Sequence, residues 1–160
     1  PVPEGEKGEL VITCLSKQCL PVLRYRTKDI TALDYTPCAC GRTHARMEKV
    51  TGRTDDMLII KGVNVFPSQI ESVLVGMEGI GPHYRLVLRK KNYMDTLEVN
   101  VELVDGALLE RFAELEGLQQ KIHGKLKSVL GLECKVTLVE PGTLERFQGK
   151  AKRVLDLRNQ

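Results

Sequence analysis

TGRTDDMLIIKGVNVFPSQIE, residues 51–71, divides this chain into two unlike halves. Thr51 to Asp56 is polar and turn-prone. Met57-Leu58-Ile59-Ile60 and Val63-Asn64-Val65-Phe66 are short apolar runs, and the Lys61-Gly62 pair between them predicts a tight hairpin. Pro67 opens a helix with Ser68 and Gln69 at its start and Ile70, Val73 and Leu74 along one face. A charged hexad followed by a compact new unit reads as a joint between two bodies. Spacing alone is equally compatible with an ordinary loop before an ordinary hairpin.

Upstream of the joint the pattern is strands and turns. Residues 8–13 alternate as a strand, 21–26 are extended and run into the polar cluster Thr27-Lys28-Asp29, and 30–33 and 46–50 are further strand candidates. Downstream, a helix over 67–77 is followed by a strand over 83–89 and a turn at 90–93. A second strand over 96–103 places Leu97, Val99, Val101 and Leu103 on one face. A helix over 107–130 carries Leu108, Leu109, Phe112, Leu115, Leu118, Ile122, Leu126 and Leu130 at helical spacing, with Gly117 as an interruption. A strand over 134–139 stops at Pro141-Gly142, and the tail keeps one apolar set, Val154, Leu155 and Leu157. The fold class expected is α+β. A small β-rich remnant of a large domain over 1–54 precedes a compact α+β C-terminal domain over 55–160, built as a hairpin and then α-β-β-α-β, its antiparallel strands covered on one face by two helices.

Composition narrows the function classes. Over 160 residues, 42% hydrophobic and 28% charged residues mark a globular chain, and 24 basic against 21 acidic residues leave a net charge of only +3. That balance, with no basic tract interleaved with aromatics, argues against nucleic acid as a partner. No apolar run approaches the roughly 20 residues of a membrane span. The opening PVPEGEKGEL has neither Met nor the basic start and apolar core of a signal peptide, so a piece of a longer cytoplasmic protein is expected. Five cysteines, an odd number, do not read as a disulfide framework.

Several groups could carry chemistry. Asp29 ends a strand, where a carboxylate can accept two hydrogen bonds from a ribose diol; a surface Asp beside Lys28 is the plainer reading. Arg53 can fork onto phosphate or carboxylate, and Asp55 can set the turn geometry through its own backbone. Lys150 follows Gly149 and can neutralise charge building on an oxyanion or phosphate; a basic solvated tail fits the composition as well. Cys38-Ala39-Cys40-Gly41 with His44 has the character of a zinc knuckle, yet zinc takes four ligands, and Cys14, Cys19 or residues outside this chain would have to complete it. Two incidental thiols in a turn fit equally well. His83 and His123 read as structural, and Cys134 as a buried small hydrophobe.

YRTKD (25–29), TGRTDDMLIIKGVNVFPSQIE (51–71) and PGTLERFQGK (141–150), in that order, resemble the C-terminal part of the acyl-adenylate-forming ligases. The VNVFPSQIE wording and PHYRLVLRKKNYMDTLEVNVEL (82–103) are similar to the phenylacetate–coenzyme A ligase family in particular. The resemblance implies a two-step reaction of phenylacetate catabolism. ATP and an aryl acid give an acyl-adenylate and pyrophosphate, and coenzyme A then displaces AMP to form the thioester. By the same resemblance Asp29 would hold the ribose of ATP and Arg53 its ribose or phosphates. Asp55 would be the hinge of a mobile C-terminal domain, and Gly62 would lie by the coenzyme A tunnel. Lys150 would be the catalytic residue, reaching the carboxylate and α-phosphate during adenylation. ATP with Mg would be bound mainly by a large N-terminal part carrying the phosphate loop and acyl pocket upstream of Pro1, so the piece alone would be inactive.

Lys28 stands where many relatives carry Gly in a YRTGD pattern. The Cys38/Cys40 knuckle resembles one that other members complete with ligands from elsewhere in the large domain, which makes an orphaned half-site the preferred reading. The rival is a non-catalytic α+β regulatory or binding module with a zinc knuckle. A homodimer paired through exposed strand edges is a further expectation.

Overall fold

A computed structural model describes residues 2–146 and 153–158 and divides into two units, Pro1–Met57 and Leu58–Gln160. In the first unit, β1 (Gly8–Ile12), β2 (Tyr25–Thr31) and β5 (Gly52–Arg53) form an antiparallel sheet in the order β1-β2-β5. Strands β3 (Leu33–Asp34) and β4 (Arg46–Met47) pair at the base of the knuckle loop. The 27–29 cluster, expected to separate two strands, lies inside the single strand β2, where Lys28 adopts a left-handed φ of 67°. Ala32 is this unit's one buried hydrophobic residue among those described, while Leu20, Leu23, Tyr25 and Tyr35 are exposed.

The second unit opens with the expected hairpin, β6 (Leu58–Ile60) and β7 (Val63–Val65). Lys61 and Gly62 both take positive φ, 51° and 79°, the geometry a two-residue hairpin turn demands. Helix α1 (Pro67–Leu74) follows, with Pro67 in its first turn and the Gln69 side chain accepting the Phe66 N–H at 2.9 Å. Strands β8 (Ile80–Lys91) and β9 (Met94–Leu103) form a long antiparallel hairpin turning at Asn92-Tyr93. Helix α2 (Phe112–Leu130) crosses back to β10 (Lys135–Val139), and β11 (Val154–Asp156) closes the sheet in the order β10-β9-β8-β11.

The expected α-β-β-α-β succession is present, and the fold is α+β. Three details differ from expectation. The sheet is mixed, because β10 lies parallel to β9 and β11 parallel to β8. The 107–130 helix is in fact a 3₁₀ turn over Gly106–Glu110, capped by the Asp105 carboxylate on the Ala107 N–H, and then α2 from Phe112. Gly117 does not interrupt α2, which ends instead at left-handed Gly131.

The core is one layer. Ile70 and Leu74 of α1 and Ile122, Leu126 and Leu130 of α2 pack on Leu86, Leu88, Leu97, Val99 and Val101 of the sheet. Cys134 is buried with them, and desolvation pushes its thiol up to about 11, which makes it inert packing. Of the expected α2 face, Phe112 is exposed.

Candidate functional site

The structure brings Asp29, Arg53 and Asp55 together in the first unit. Asp29 and Arg53 are register partners across β2 and β5, so the sheet itself sets their side chains side by side. Arg53 Nη1 donates to Asp29 Oδ1 at 3.2 Å. The same guanidinium forks onto Asp55, Nε to Oδ1 at 3.0 Å and Nη2 to Oδ2 at 3.1 Å. Lys28 Nζ lies 3.2 Å from Asp55 Oδ2. Lys28 thus pairs with Asp55, and Asp29 with Arg53. The Arg53 hydrogen bonds, with Lys28 beside them, hold the Asp55 carboxyl well below the usual range, at about 2. Asp55 falls two residues before the end of the first unit.

Lys28 shows what the cluster costs locally. Its left-handed backbone is one glycine adopts freely and a lysine does not, which gives a physical reason for a Gly at this place in the YRTGD pattern. Two hydrogen bonds hold it there: its N–H donates to Glu9 Oε1 at 3.1 Å, and its carbonyl accepts from the Thr54 N–H at 2.8 Å.

Gly62 sits at the β6–β7 turn, where a Cβ would meet nothing within 4 Å. Lys150 lies outside the described residues, but both flanks of its segment are described. Before it, Glu102 of β9 is 2% exposed on the sheet face opposite the helices. Its carboxylate accepts the Leu144 N–H at 2.7 Å and Arg146 Nη2 at 2.7 Å. Burial pushes this carboxyl up, but Arg146 and the Leu144 and Gly142 N–H groups outweigh it, so the group lies below its ordinary value. After the segment, Arg153 Nη1 lies 2.5 Å from Glu71 Oε1 of α1 and donates to the Tyr84 hydroxyl of β8 at 2.9 Å. Its guanidinium also sits 4.6 Å from the Tyr84 ring centroid.

Sequence reasoning missed Glu102, Glu71 and Arg153. The signal for Glu102 was faint. It occupies a polar slot in the β9 alternation, and only the returning 142–146 segment buries it.

Cys38 and Cys40 form a close pair, Sγ to Sγ 2.9 Å, on a turn closed by the Gly41 N–H on the Cys38 carbonyl. Hydrogen bonding from Cys38, then from the Arg42 backbone, lowers the Cys40 thiol. Among the described residues no three His, Cys, Asp or Glu side chains are placed to share a metal ion. Neither His44 nor Cys14 nor Cys19 completes a set, and two thiols do not satisfy the four-ligand demand of zinc. The knuckle in this chain is a dithiol pair, and the zinc-module reading has no support.

The AMP-binding enzyme C-terminal domain family matches residues 62–158, and the chain belongs to that family. A phenylacetate-coenzyme A ligase of Thermus thermophilus is 44% identical over 171 residues, covering 99% of this chain and 38% of the relative. Among solved structures, 2-hydroxyisobutyryl-CoA ligase in a postadenylation state with R3-HIB-AMP is 35% identical at a TM-score of 0.83, covering 97% of this chain and 33% of that one. The same ligase with 2-HIB-AMP and CoA in its thioesterification state matches at a TM-score of 0.61, 35% identity, 99% of this chain and 33% of that one. The chain thus spans little more than a third of the length of the relatives it matches.

Proposed function

We propose that this chain is the C-terminal part of an AMP-forming phenylacetate–coenzyme A ligase acting in the cytoplasm. ATP and phenylacetate give phenylacetyl-adenylate and pyrophosphate, and coenzyme A then gives phenylacetyl-CoA and AMP. The observation that carries this reading is the Asp29–Arg53–Asp55 cluster set by strand register, in a chain of this family 44% identical to a ligase of that name. In this reading Asp29 holds the ribose hydroxyls and Arg53 contacts the ribose or phosphates, two roles a strand-end carboxylate and a forked guanidinium suit.

Residues 1–54 then belong to the large domain and 55–160 to the mobile one, with Asp55 as the hinge. Its contacts support that role: among the described residues its side chain pairs with Lys28 and Arg53, both of the first unit, which leaves the backbone just after it to turn. Gly62, at a tight turn with open space over its Cα, suits close passage of the pantetheine arm. Lys150 supplies positive charge to the α-phosphate in adenylation and withdraws for thioester formation. Mg accompanies ATP and is held by the large domain.

The nearly bare core of the first unit supports its being part of a larger body, since one buried hydrophobic residue cannot hold a unit of this size. The test is direct. The purified chain, given ATP, phenylacetate and coenzyme A, forms no thioester, while the full-length ligase does so and releases AMP. Robust thioester formation by the chain alone would refute the claim that essential parts lie elsewhere.

A further inference from the structure

Lys28 is held in place from three sides. Its N–H donates to Glu9 Oε1 at 3.1 Å, and Glu9 is itself fixed by the Arg26 guanidinium. Its carbonyl accepts the Thr54 N–H at 2.8 Å and the Thr54 hydroxyl at 3.4 Å. Its ammonium lies 3.2 Å from Asp55 Oδ2. One residue of β2 thus grips the backbone at Thr54 and the side chain at Asp55, the two positions that lead into the unit boundary.

Stability does not account for a lysine here. At a φ of 67° a glycine would sit without strain. The two side chains of the ion pair are 54% and 36% exposed, and a pair so open to solvent adds little to folding. Strain kept at one position for so small a gain points to a function. The wiring of Arg53 says which. Its single guanidinium forks onto both Asp55 oxygens and also reaches Asp29. In the proposed function Arg53 also meets the nucleotide, and a fork turned onto a phosphate is no longer available to Asp55. Lys28 sits on β2 and Arg53 on β5, so the lysine can keep hold of Asp55 while the arginine turns away.

We propose that Lys28 is a positioning residue for the hinge: its ammonium keeps Asp55 in place when Arg53 engages nucleotide, which fixes the point about which the C-terminal domain turns. This rests on the reading of Asp55 as the hinge. Lys28 touches no substrate in this role; it acts through Asp55.

The experiment uses the full-length ligase with Lys28→Gly, Lys28→Met, Lys28→Arg and Asp55→Ala. The first-turnover burst of pyrophosphate with ATP and phenylacetate reads adenylation. Steady-state formation of phenylacetyl-CoA reads repeated turning of the domain, and the midpoint of urea unfolding reads stability. Lys28→Gly suits the left-handed backbone and removes only the ammonium, so it should unfold at the same or a higher urea concentration than the natural protein. Its steady-state rate should nonetheless fall by about fivefold or more, with the burst within about twofold. Lys28→Met should match it in rate, which separates loss of the cation from the freedom of a glycine, and Lys28→Arg should recover most of the loss. Turnover falling while stability holds is what a merely structural residue does not show. A lower unfolding midpoint in Lys28→Gly together with slower turnover would mark a structural role and overturn the proposal. A burst lost as fully as turnover would overturn it by placing Lys28 in nucleotide binding. Turnover unchanged in Lys28→Gly and Lys28→Met, with Asp55→Ala slowed, would overturn it while the hinge reading stands. Turnover unchanged in Asp55→Ala would overturn both.

Discussion

Arg53 is the residue on which the first unit's charges converge. It binds Asp29 across the sheet and Asp55 along the chain, so one guanidinium couples the candidate ribose ligand to the candidate hinge. The Asp55 carboxyl, held at about 2 against an ordinary value near 3.8, carries a pH signature. Because the folded value is depressed, its contribution to stability is full above about pH 4 and is lost as the pH falls through about 2. Removing the fork by Arg53→Met should bring the Asp55 carboxyl back toward the ordinary range in an NMR titration, with Lys28 alone left to hold it down. A carboxyl that stays near 2 in that variant would show that the fork is not the cause. Lys28 makes a related point: a strained backbone at a lysine persists only because Glu9 and Thr54 hold it.

Elements were legible where periodicity and turn chemistry agreed. Lys61-Gly62 announced its hairpin, Pro67 its helix, and the β9 alternation its buried face. Legibility failed where a long-range partner decides. The apolar spacing of Leu108 and Leu109 reads as helix, but the Asp105 cap closes a 3₁₀ turn there, and Phe112 is left outside. Strand direction is invisible to a local pattern, so the parallel placement of β10 and β11 could not be read. Glu102 was not singled out, because nothing in β9 tells that residues 142–146 return to hydrogen-bond it. The site was legible in its residue types, Asp29, Arg53 and Asp55, but not in its wiring, since cross-strand register pairs residues 24 apart. At this scale the single-layer core makes a stability prediction. Leu126, with no exposed surface, joins α2 to the sheet, so Leu126→Ala should cost about 2–5 kcal/mol. Chemical denaturation checks this, and a cost under about 1 kcal/mol would mean α2 is not what covers the sheet.

The two units of the molecule differ in how much they bury. The second unit has a continuous core of two helices on a four-stranded sheet; the first buries Ala32 and leaves large apolar side chains outside. The chain spans about a third of the length of the relatives it matches. In the proposed function this C-terminal part brings Lys150 to one of two half-reactions. The pair of half-reaction rates in the full-length ligase bearing Lys150→Ala tests this. Adenylate formation should fall by about 100-fold or more, with thioester formation from preformed adenylate nearly unchanged. Comparable loss in both steps, or none in the first, would contradict it.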